Sequence, residues 1–116
     1  MHFCVYHADT DDHDIRFRLM MRPEVDWLQT VIKNKLVTYK LVAEVECISL
    51  SDVFRLTNTL NYDWWLNREV TARFQGTQCR STSVGDVVTF NGQAIVYAPM
   101  GTQRLNYDTF RRSLKQ

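Results

Sequence analysis

Between Val37 and Ile48 the chain alternates. Val37, Tyr39, Leu41, Ala43, Val45 and Cys47 hold the odd positions, with Thr38, Lys40, Glu44 and Glu46 among the even ones. A repeat of two kept up over this length does not fit a helix, whose apolar side chains recur every three or four residues. The stretch therefore predicts a strand, lying centrally in an antiparallel sheet with one covered face.

Other segments supply its neighbours. Asn91-Gly92 separates two apolar runs, roughly 86–90 and 93–98. That dipeptide suits a type I′ turn, because both central residues need positive φ. His2 to His7 reads as a first strand with Phe3 and Val5 on one face. Ile15, Phe17 and Leu19 alternate with Arg16, Arg18 and Met20, which predicts a second strand. The acidic run 9–14 would then be the turn of a hairpin. Pro99 and Gly101 end the later hairpin, and Gln103 to Leu105 read as a short edge strand.

Three helices are expected. Pro23, Glu24 and Asp26 mark the start of one over 23–34, with Val25, Leu28 and Ile32 on its apolar face. Ser49 or Ser51 caps a second, ending near 60, with Leu50, Val53, Phe54, Thr57 and Leu60 on one face. Asn106 or Asp108 caps a terminal helix whose Arg111, Arg112 and Lys115 suit the negative helix end. The pattern predicts one α+β domain over residues 1–116, an antiparallel sheet of about five strands with two or three helices packed on it.

The chain has 116 residues, 45% of them hydrophobic and 23% charged. It can fill a core without staples. Its three cysteines, Cys4, Cys47 and Cys79, are odd in number and far apart, with no Cys-x-x-Cys. They read as free thiols in a reducing cytoplasm rather than a disulfide framework or zinc knuckle. No apolar run nears the roughly 18 residues of a membrane span, so no membrane partner is expected. The net charge of +1 excludes bulk attraction to nucleic acid, but charge is uneven: residues 1–65 hold seven Lys/Arg against ten Asp/Glu, and residues 66–116 seven against three.

Chemistry has few candidates. The acidic run 9–14 fails the EF-hand pattern, having Asp14 where glycine and Met20 where glutamate are needed. A solvated turn, with a looser Mg²⁺ or Mn²⁺ site as the alternative, is what remains. His2 and His7 fall on opposite faces of a strand, which makes no zinc pair. Arg80-Ser81-Thr82-Ser83-Val84-Gly85-Asp86 concentrates polar groups, yet no Gly-x-Ser-x-Gly elbow or glycine-rich phosphate cradle is present. Arg80 and the loop amides are the only anion grip. Cys79 beside Arg80 is a candidate reactive thiol, since a cation lowers thiol pKa. Trp64-Trp65, beside Tyr62, leaves two readings open: both rings packed, or one exposed as an interface anchor or a stacking platform.

The run from Arg80 to Val88, preceded by a short helix and followed by a strand pair and Tyr97-Ala98-Pro99-Met100-Gly101, resembles the YodL-like small domain of phages, plasmids and conjugative elements. Members carry a similar Arg/His-Ser-x-Ser-Val-x-Asp-Val segment before two strands. The resemblance covers the C-terminal half, and Gly85 stands where serine is frequent. It implies an accessory protein of a mobile element and supplies no catalytic residue.

The leading expectation is a non-enzymatic protein, without cofactor, that binds and modulates a host or defence protein in the host cytoplasm. Its contact residues would be Tyr62, Trp64, Trp65, Arg80, Ser81, Ser83 and Asp86. Exposed strand edges leave a homodimer open. The alternative is a nucleic-acid-binding accessory using Arg73, Arg104, Arg111 and Arg112. A small enzyme or metal-binding protein built on the acidic front is a third reading.

Overall fold

The computed structural model describes residues 1–114, so Lys115 of the expected basic helix lies outside the described residues. The fold is α+β. Six strands form one antiparallel sheet: β1 (His2–Asp9), β2 (Thr38–Glu46), β3 (Val70–Ala72), β4 (Val87–Phe90), β5 (Gln93–Ala98) and β6 (Gly101–Leu105), in the order β3-β2-β1-β4-β5-β6. The four helices are α1 (His13–Met21), α2 (Val25–Lys33), α3 (Leu50–Leu56) and α4 (Tyr107–Ser113), with a single 3₁₀ turn at Trp64–Leu66.

The expected hairpin through residues 9–14 does not form, and 15–19 is helix rather than strand. Asp12 is the reason. Its side chain accepts hydrogen bonds from the Asp14 and Ile15 amides at 2.9 and 3.1 Å, capping α1. Six residues of alternation also satisfy the i, i+4 pairing of Ile15 with Leu19, so the pattern does not discriminate. Only Leu19 is buried, and Phe17 lies exposed.

The long alternation hides a second departure. β2 is indeed a strand, but it lies one place in from the β3 edge; β1 and β4 hold the centre. Val5 pairs with Ala43 and Tyr6 with Leu41, so Val42 is an extra residue in β2. This β-bulge reverses the pleat. Tyr39 thus enters one core, while Ala43 and Val45 enter the other. The expectation of one covered face is therefore replaced by a sheet covered on both. Leu19, Leu28, Ile32 and Phe110 from α1, α2 and α4 pack with Val87 and Val96 on one side. Val53 and Leu56 of α3, with Trp64, pack with Phe3, Val5 and Val88 on the other.

The remaining boundaries follow local chemistry. Helix α3 ends at Leu56 with Thr57 as its C-cap, so the chain has left the helix before Leu60, which is 91% exposed instead of lying on the helix face. Asn91 and Gly92 adopt φ of 49° and 72°, the positive values of the expected type I′ turn. Asn106 caps α4 by accepting from the Thr109 amide at 2.9 Å. Strand β3 was not anticipated; it is three residues long and lies at the edge beside β2.

Candidate functional site

The end of β1 meets the 79–86 loop in a buried polar knot. Asp86, at the entry to β4, is 1% exposed. One of its oxygens accepts from the Ala8 amide at 2.8 Å and from Arg80 at 2.7 Å. The other accepts from the Ser83 amide and from Arg80, each at 2.7 Å. Arg80 thus grips the carboxylate with both prongs of its fork, the strong geometry for this pair. The same guanidinium donates to the Ala8 carbonyl at 3.1 Å and the Ser81 carbonyl at 3.0 Å. Both backbone groups of Ala8 are therefore bound by the Arg80–Asp86 pair, which fastens loop to strand.

His7 lies beside this pair on the other face of β1. Its Nε2 is 3.0 Å from the Thr82 hydroxyl and 3.8 Å from Asp86, and its Nδ1 is 3.6 Å from Cys79 Sγ. Burial pushes the imidazole pKa down to about 4; the charge of Asp86 pulls upward and Arg80 pushes down, and burial prevails. His7 is therefore neutral near neutral pH, and its proximity to Asp86 is not an ion pair. Thr82 is also fully buried. Its amide donates to the Thr57 carbonyl at 3.0 Å and its carbonyl accepts from Asn58 at 2.8 Å, which joins the loop to the end of α3.

Cys79 is corrected by this setting. Arg80 does act to lower its thiol pKa, but burial acts more strongly and the net direction is upward. The guanidinium is engaged with Asp86 rather than aimed at sulfur. Gly85 has φ of 93°, and an added Cβ would meet the Leu19 carbonyl oxygen at 3.2 Å and its Cβ at 3.3 Å. Glycine here lets α1 close on the loop, and its carbonyl accepts from Tyr39 at 2.8 Å.

The Trp pair resolves into two roles. Trp64 is 2% exposed, and its indole N–H donates to the Cys79 and Arg80 carbonyls at 3.2 and 3.1 Å. It is a core residue that carries the loop. Trp65 is half-buried, edge-on to Trp64 and Phe74 with ring centroids 5.5 and 5.2 Å apart. Tyr62 is 53% exposed and donates to the Asn67 side chain at 2.6 Å.

An open cleft of ≈ 630 Å³ runs between residues 59–65 and 78–81. It brings Tyr62, Trp64, Trp65, Arg80 and Ser81 together. Ser83 and Asp86 are not part of it; with Arg80 they line a smaller hollow of ≈ 190 Å³ beside Ala8, Arg16 and Leu19. The arginines of the nucleic-acid reading are divided. Arg73 follows β3 at one edge of the sheet, whereas Arg104 lies on β6 at the other and Arg111 and Arg112 on α4. They do not form one stripe with Tyr62 and the tryptophans.

Nothing in the sequence pairs His7 with Thr82, or Asn58 with the loop. An apolar strand conceals a buried histidine, and only the pairing of β1 with β4 sets it against the loop. Comparison with family models, with curated proteins and with solved structures finds no match to this chain.

Proposed function

We propose that the chain is a non-enzymatic interaction protein whose open cleft receives a segment of a partner protein. The observation that carries this reading is the outward projection of Leu60 and Tyr62 beside a floor held by Trp64. An exposed apolar and aromatic rim on a preorganised base is what protein interfaces use for affinity. Trp65, Arg80 and Ser81 complete the contact set. Ser83 and Asp86 act one step back, by holding Arg80 in place. The YodL-like resemblance supports a phage or other mobile element as the source, and the partner proposed for such a protein is a host or defence protein, modulated in the host cytoplasm. A second copy of this chain, paired through the β3 or β6 edge, is the competing partner.

Affinity capture from a candidate host tests this, with Leu60→Asp and Tyr62→Ala against the wild type and Met100→Asp, at the exposed β5–β6 turn outside the cleft lining, as control. The proposal expects a partner held by wild type and control and lost by the cleft variants. The same partners on all four baits would remove the cleft assignment.

The nucleic-acid reading rests on Arg104, Arg111 and Arg112, which have no carboxylate partner within ion-pair distance among the described residues. Salt-sensitive retention of labelled DNA or RNA, lost in Arg111→Glu/Arg112→Glu, would favour it. No retention at low salt removes it.

A further inference from the structure

At the end of β1 away from the polar knot, strand register places four metal-binding side chains on one face. His2 and Cys4 are two residues apart on β1 and so point the same way. Glu46 is directly opposite His2 on β2, and Glu44 directly opposite Cys4. His2 Nε2 is 2.8 Å from Glu44 Oε1 and 3.9 Å from Cys4 Sγ, and one ligand atom from each of the three residues lies within 4.8 Å of the others. This cluster is separate from the cleft and from the acidic 9–14 run.

We propose that His2 Nε2, Cys4 Sγ and Glu44 Oε1 form a Zn²⁺ site. Imidazole, thiolate and carboxylate are the donor types zinc accepts. Tetrahedral bonds of about 2.0–2.3 Å require ligand atoms about 3.3–3.6 Å apart, so the nitrogen–oxygen pair opens and the nitrogen–sulfur pair closes by about half an ångström or less. Three protein ligands leave the fourth position to water, and the half-exposed His2 keeps the site accessible.

The surroundings match those of a metal ligand set. His2 Nδ1 is 2.5 Å from Glu46 Oε1, which orients the ring with Nε2 toward the metal. Arg73 Nε donates to Glu44 Oε2 at 2.5 Å, which leaves Oε1 as the free ligand atom. On binding, zinc replaces the proton between Nε2 and Oε1. That proton and the thiol proton pass to bulk water.

Zinc titration of the full chain against a chromophoric chelator, with Co²⁺ as a spectroscopic substitute, tests the site. One ion per chain is expected, with a thiolate-to-cobalt charge-transfer band. Cys4→Ser should abolish that band, Cys47→Ser and Cys79→Ser should keep it, and Glu46→Gln should weaken zinc binding by about 10–100-fold. Melting in the metal-free state checks that each variant folds. Equal zinc affinity in wild type and Cys4→Ser, no cobalt–thiolate band in the wild type, or a band that follows Cys79 instead would each overturn the proposal.

Discussion

Acid should loosen this fold through one residue, His7. Its folded pKa lies near 4, against an ordinary value of 6.5. The unfolded chain therefore takes up the histidine proton first as pH falls. The stabilisation is present above the ordinary value and is lost between about pH 6.5 and about pH 4. From about pH 7 to about pH 5 the unfolded state gains roughly 1.5 units of protonation free energy that the folded state does not, or about 2 kcal/mol. The groups facing the ring are Asp86, Arg80, Cys79, Thr82 and Trp64. Urea unfolding at the two pH values, with a chelator present, measures the loss. His7→Gln is the comparison, because its amide can reach Thr82 without titrating. His2 and His13 remain in both proteins, so their contributions cancel. Wild type should lose about 2 kcal/mol more than His7→Gln over this interval. Equal losses would refute the assignment of a buried neutral imidazole.

Other outcomes follow from the same contacts. Arg80→Met leaves the buried Asp86 without its counter-charge and should cost about 3–5 kcal/mol by chemical denaturation; a change below about 1 kcal/mol would contradict the fastening role. Trp64→Ala should cost about 3–5 kcal/mol, whereas Tyr62→Ala should stay within about 1 kcal/mol. Thermal melts in the reverse order would mean the two aromatic roles are exchanged. Gly85→Ala should destabilise more than Gly92→Ala. Both have positive φ, at about 1–2 kcal/mol each, but only Gly85 adds a tight contact, 3.2 Å to the Leu19 carbonyl oxygen.

Local rules were sufficient where one residue pair decides the backbone. Asn91-Gly92 specified its turn, and Asn106 its cap, because each acts within a few residues. The missing hairpin and the strand expected over 15–20 share a cause. Alternation over 15–20 was too short to separate strand from helix, and the cap that decides it belongs to Asp12, a residue that also reads as turn. The long alternation of β2 was correctly a strand, yet its faces were misplaced after Val42. A bulge is a property of two strands: Val42 is extra only because Val5 and Tyr6 pair on either side of it. Nothing in residues 37–48 alone carries that information.

The candidate site follows the same division. Arg80 and Asp86 were singled out for their chemistry, and they do meet, but the geometry turns them into a fastening. Four hydrogen bonds to the carboxylate leave no oxygen free for a proton transfer. The consequence reaches the cleft. Arg80 is held at its wall by Asp86 behind it, and the Trp64 indole holds the carbonyls of residues 79 and 80. A partner meeting this surface would find its cation already oriented, so it need not order that side chain on binding. A charge paired so fully attracts an incoming carboxylate only weakly. Discrimination at the cleft must therefore come from shape and from the uncommitted groups, Leu60, Tyr62 and Trp65, more than from charge. Raising ionic strength should leave capture by this surface largely unchanged, whereas Leu60→Asp should abolish it; capture that collapses with salt would assign the recognition to the arginines of β6 and α4 instead.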